Sequence, residues 1–100
     1  MNVESFEKLH GFFIEDLKVG QKAILKKKIT ENDINQFSLV TGDNNPVHIN
    51  EDFAKNTIFK KRIAHGFLSA SLISTVIATK LPGPGSIYLK QSLKFLAPVF

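Results

Sequence analysis

The 100-residue chain is 43% hydrophobic, enough for one domain with one core, and its 13 Lys and Arg against 9 Asp and Glu leave a mild basic excess of +4. It has no cysteine, which excludes a disulfide framework and a cysteine-based zinc site and makes the cytoplasm the default compartment. Charges interrupt the N-terminal stretch, and the longest apolar run, "FLSASLISTVIA" at residues 67–78, is too short to cross a bilayer; neither a signal peptide nor a membrane segment is expected.

In chain order, residues 19–29 place Ala23, Leu25 and Ile29 on one parity and Lys22, Lys26 and Lys28 on the other, the alternation of a half-buried strand that Lys27 breaks. Next, "TENDINQFSLVTG" opens with Thr30 and Asp33 in capping-box positions, spaces Ile34, Phe37 and Val40 three apart, and stops at Gly42. A short amphipathic helix is predicted there. After a turn-rich stretch, "NEDFAKNTIF" offers another helical turn or two with Phe53 and Ala54 inward. From Gly66 to about Lys80 the pattern is apolar or small on nearly every side, so this helix is expected to be wrapped, most economically by a curved sheet. "LPGPG" ends it. Residues 86–100 then alternate, with Ile87, Leu89, Leu93 and Phe95 on one face and Tyr88, Lys90, Ser92 and Lys94 on the other, the clearest strand pattern in the chain. Two strands cannot wrap a helix, so either other chains complete the sheet or the domain is truncated at its C-terminal end; a strand running straight to Phe100 favours truncation.

The basic clusters Lys26, Lys27, Lys28 and Lys60, Lys61, Arg62 are not interleaved with aromatic residues as a stacking platform for single strands would be. Solvated charge comes first, a phosphate-bearing small ligand second and nucleic acid third. The chemistry-bearing stretch is "TGDNNPVHIN" at residues 41–50. Pro46 fixes its own backbone and pushes Asn45 into an extended conformation, so Asp43 and His48 are presented from a stiff connector. Residue types alone leave two readings open: a proton-transfer pair, or a turn aspartate followed by a surface histidine.

The stretch "FSLVTGDNNPVHINEDFA" closely resembles the signature of the MaoC-like, R-specific enoyl-CoA hydratases, with Gly-Asp-x-Asn-Pro, an aliphatic residue and His all in place. "FKKRIAHGFLSASLIS" looks like that family's second block, and "LPGPGSIYLKQSLKFLAPVF" is similar to the block after it, so the likeness runs from about Ile14 to the end. The resemblance implies an α+β hot-dog fold, a central helix wrapped by an antiparallel sheet and assembled as a homodimer, of which this chain resembles the N-terminal part. It implies reversible syn addition of water to a trans-2-enoyl-CoA, giving an (R)-3-hydroxyacyl-CoA. Asp43 matches the general base and His48 its partner, with the donor to carbon left open. Gly66, at the start of the buried helix, matches the oxyanion-hole glycine, and Asn45 and Ser74 match substrate-binding positions. Each retains a plainer reading: Gly66 relieving crowding, Asn45 an ordinary turn residue, Ser74 bonding its own helix. His65 reads as structural, ordering the loop. Lys60, Lys61 and Arg62 are candidates for CoA phosphates, with Lys90 and Lys94 as the other set. No cofactor is implied, since the thioester is substrate, and no metal is expected from three histidines without clustered spacing. Competing readings are a dehydratase acting on hydroxyacyl-carrier protein or branched acyl-CoA, and a non-catalytic acyl-binding hot-dog module.

Overall fold

Helix α2, Glu31–Thr41, forms as its ends dictate. The Asp33 N–H donates to Thr30 Oγ1 at 3.2 Å and the Thr30 N–H donates to Asp33 Oδ2 at 2.9 Å, so two otherwise unpaired amides are satisfied reciprocally. Lys27 Nζ stands 3.2 Å from the same carboxylate. The Thr30 backbone N–H foremost, then the Thr30 hydroxyl and Lys27, hold the Asp33 carboxyl below the ordinary carboxylate value. At the other end Gly42 adopts φ 76°, a left-handed conformation that glycine enters without strain, and its N–H donates to Ser38 O at 2.8 Å. Ile34 and Ser38 are buried, whereas Val40, expected inward, is 86% exposed. The helical repeat explains the difference: two three-residue steps lag the 3.6-residue turn by about 120°, whereas Ser38 at i+4 stays on the face of Ile34.

The structure, a computed structural model, describes residues 2–100, whose contacts gather into two units. One comprises Lys27–Ala70 with Leu93–Phe100. In it, α2 is followed by two further short helices, α3 (Pro46–Ile49) and α4 (Glu51–Lys55). Asn45 N-caps α3 by accepting from the Val47 N–H at 3.2 Å, with Pro46 at the first helical position where its missing N–H costs nothing. The stiff turn expected from "DNNPVH" is therefore a helical turn. Asn50 caps α4 through the Phe53 N–H at 3.0 Å. Ala54 is fully buried as expected, but Phe53 is 48% exposed. The Ile63 N–H donates to Val47 O at 3.3 Å and the Ala64 N–H to Val99 O at 2.7 Å, which ties residues 63 and 64 between α3 and the C-terminal segment.

The other unit comprises Met1–Lys26 with Ser71–Ser92. Its helix α1, Val3–Leu9, is N-capped by Asn2. Beyond it the Gly11 N–H donates to Pro84 O at 2.8 Å and the Phe12 N–H to Pro82 O at 2.7 Å. A Cβ on Gly11 would overlap the Pro82 carbonyl oxygen, so only glycine fits there.

Helix α5, Gly66–Thr79, is the long apolar helix that the sequence predicts. None of its residues is buried, with Phe67 67% and Ile73 42% exposed. The expected sheet is not seen among the described residues: they contain no strand, and residues 19–29 and 86–100 stand outside any ladder. A strand exists by pairing its N–H and C=O groups with a neighbour's, and beyond the bond from the Ala64 N–H to Val99 O neither segment makes a run of such pairs within the described residues. Ile87 and Leu89, expected on the covered face, are 81% and 92% exposed. Among the described residues no helix is long and apolar enough to cross a membrane.

Candidate active site

Asp43 follows directly from the left-handed Gly42 that ends α2. Its N–H donates to Thr41 Oγ1 at 3.1 Å, and its carbonyl accepts from Ser38 Oγ at 2.6 Å and His65 Nε2 at 2.9 Å. The main chain of Asp43 is thereby fixed from beneath, while its side chain stays exposed, with Oδ1 accepting from the Asn45 N–H at 3.4 Å. A carboxylate so placed is available for proton transfer.

His48 sits in α3 with Nδ1 2.8 Å from Ile63 O. A carbonyl only accepts, so Nδ1 donates to it and Nε2 is left for another partner. His65 is set in the opposite sense. It is 2% exposed, and Nε2 donates to the Asp43 carbonyl while Nδ1 meets no hydrogen-bond partner among the described residues. Its ring stacks on His48 with centroids 4.0 Å apart and planes 29° apart, and tilts against Phe37 at 4.6 Å. The two histidines stand 17 positions apart in the chain, so spacing carried no sign of this meeting.

Asp43, His48 and His65 bring ligand atoms within 4.8 Å of one another, a grouping the histidine spacing did not suggest. The fit to a metal is poor on geometry. Ring-nitrogen lone pairs lie in the ring planes, and two rings stacked face to face do not converge on one ion.

His48 opens on a cavity of about 380 Å³ together with Gly66, Phe59, Ile63, Phe67 and Phe95. Gly66 begins α5; the Leu68 and Ser69 amides bond the His65 carbonyl, and the amides of Gly66 and Phe67 precede the first i−4 bonds of the helix. A Cβ there would stand 2.7 Å from Phe95 Cε1, so the crowding reading of this glycine also has substance. Ser69, one turn on, lines the same cavity with an Oγ that meets no partner among the described residues. The sequence reading passed over it in favour of Ser74, which is exposed and falls in the other unit.

The remaining candidates separate. Asn45 spends its side-chain oxygen on the cap of α3. Lys60 is exposed in a left-handed conformation at φ 64°, and Lys61 is exposed with Nζ 6.0 Å from the Phe100 ring centroid. Arg62 turns inward, its side chain only 14% exposed. Lys61 and Arg62 share one cavity of about 330 Å³, which Glu31 and Glu51 also line, whereas Lys60 is not among its lining residues. Ser38 is a further site residue that the sequence reading missed, although its place at i+4 from Ile34 signalled a buried hydroxyl.

A family model described as "MaoC like domain" matches residues 15–100. The chain belongs to the MaoC-like family. It is 59% identical over 91 residues to the (R)-specific enoyl-CoA hydratase of Rhodospirillum rubrum, covering 91% of this chain and 62% of that protein. To the 3-hydroxybutyryl-CoA dehydratase of Methylorubrum extorquens it is 52% identical, covering 91% of this chain and 58% of that one. Among solved structures, an unliganded R-hydratase from Pseudomonas aeruginosa superposes with a TM-score of 0.81 at 55% identity, over 85% of this chain and 55% of that chain. This MaoC-like chain thus spans roughly three fifths of the length of these two relatives.

Proposed function

We propose that this MaoC-like protein hydrates trans-2-enoyl-CoA thioesters to (R)-3-hydroxyacyl-CoA and catalyses the reverse dehydration. The observation that carries the reading is the arrangement of His48: Nδ1 is held by Ile63 O, and the ring opens on the cavity that Gly66 also lines. The names of the relatives, an enoyl-CoA hydratase and a hydroxybutyryl-CoA dehydratase, point to the two directions of one reaction.

In hydration a water molecule lies between the Asp43 carboxylate and His48 Nε2. Asp43 takes a proton from the water as its oxygen bonds to C3, and the C2–C3 π pair moves onto the thioester as an enolate. The leading amides of α5, those of Gly66 and Phe67, offer hydrogen bonds and the positive end of the helix dipole to that oxygen. The proton then reaches C2, the pair acting together, and the sum is one water added. No cofactor enters, because the thioester itself stabilises the carbanion. The reading includes a cytoplasmic homodimer of hot-dog domains, in which further strands cover α5 and the exposed faces of residues 19–29 and 86–100.

Assays with crotonyl-CoA, octenoyl-CoA and a crotonyl-carrier protein, followed by loss of the enoyl-thioester absorbance, test the proposal. Asp43→Asn and His48→Ala are each expected to lower kcat by roughly 10²–10⁴-fold. Wild-type protein that hydrates none of the three, or variants that leave turnover unchanged, would overturn it. Turnover of the carrier-protein form alone would move the substrate class to acyl-carrier protein.

A further inference from the structure

Helix α3 has four residues, too few for a helix to sustain itself, and the last four carbonyls of any helix lack partners within it. The carbonyl of His48 is one of these. Arg62 Nε donates to it at 2.6 Å, a short charge-assisted bond. The same guanidinium donates from Nη2 to Asn35 Oδ1 at 2.8 Å, with Nη1 3.9 Å from Glu31 Oε1, and both of those residues belong to α2. One planar group therefore bridges the helix that leads into Asp43 and the helical turn that carries His48. The next residue, Ile63, accepts from the His48 ring. Consecutive residues 62 and 63 hold His48 by its main chain and by its imidazole.

We propose that Arg62 is a positioning residue that sets the location of His48 for catalysis, and is not a contact for substrate phosphates. The inference rests on the hydratase reading of the pair. An arginine whose Nε and Nη2 are both hydrogen-bonded, with its side chain 14% exposed, keeps only Nη1 for a pyrophosphate, and that nitrogen already lies 3.9 Å from Glu31 Oε1. Its fork reaches two acceptors at once in fixed geometry, which a lysine's single ammonium on a flexible stem does not reproduce. Displacing a catalytic group by about 1 Å can cost on the order of 100-fold in rate.

The test uses Arg62→Lys and Arg62→Gln in the intact protein with two substrates, crotonyl-CoA and crotonyl-N-acetylcysteamine thioester, which has no phosphate. The expected result is a fall in kcat of at least about tenfold on both substrates, with KM within about twofold, in both variants. A rise in KM confined to crotonyl-CoA with kcat unchanged would overturn the proposal in favour of phosphate contact, and so would unaltered constants. Should Arg62→Gln fail to fold by circular dichroism, Arg62→Lys alone decides by the same criteria. Wild-type protein inactive on both thioesters would remove the hydratase reading instead. In that case the NMR signals of the His48 ring, which need no substrate, decide the positioning role: shifted in Arg62→Lys they support it, unshifted they overturn it.

Discussion

At the scale of single residues, the site is organised by groups that never touch substrate in the proposed reaction. His65 bonds the Asp43 carbonyl and stacks on the His48 ring, so one buried imidazole braces both members of the pair. Truncating it removes a ring packed between His48 and Phe37. His65→Ala is expected to lower stability by about 3–5 kcal/mol, the range for removing a buried aromatic side chain, as measured by urea unfolding. Gly66 makes a different case. The three atoms nearest an added methyl all belong to the ring of Phe95, a 58% exposed residue that can yield toward solvent, while the methyl intrudes on the cavity beside the leading amides of α5. Gly66→Ala should therefore keep its melting temperature and lose about tenfold or more in kcat/KM on crotonyl-CoA. A large drop in melting temperature would return this glycine to a packing role.

At the scale of elements, α2 carries its own instructions. Thr30→Ala deletes the hydroxyl that caps Asp33 N–H and should cost about 1 kcal/mol in chemical denaturation. Acid reaches the same device from the other side. The Asp33 carboxyl is lowered below 3.8 by the Thr30 amide, the Thr30 hydroxyl and Lys27, so the folded state favours the charged form. Its contribution is complete above that ordinary value and is lost as pH falls through the lowered one. Asp33→Asn should therefore destabilise the protein at neutral pH and make much less difference at pH about 2, read from denaturation midpoints at the two pH values. Elements α3 and α4 depend instead on asparagine caps and on their neighbours, since neither is long enough to persist alone.

At the scale of the whole molecule, the conspicuous feature is apolar surface without cover: Phe67 on α5, Ile87 and Leu89 in one unit, Phe95 in the other. If the proposed homodimer supplies part of that cover, light scattering on the intact protein should give twice the chain mass, and replacing exposed Ile87 and Leu89 with lysine should shift it toward the monomer. A monomer in the wild-type protein would count against the dimer. Local order was legible in the sequence: the Thr30–Asp33 box, the Gly42 stop, the extent of α5 and the "GDNNPVH" signature all depend on hydrogen bonds or conformational preferences spanning about four residues. What the tertiary structure decided are the meetings between distant residues: His65 beneath Asp43 and against His48, and Arg62 on the His48 carbonyl, where a basic cluster had suggested phosphate. Period-two alternation marked residues 86–100 for a sheet, but alternation records only which side chains share a face. Whether a ladder forms depends on a neighbouring backbone, and no local pattern specifies where that backbone lies.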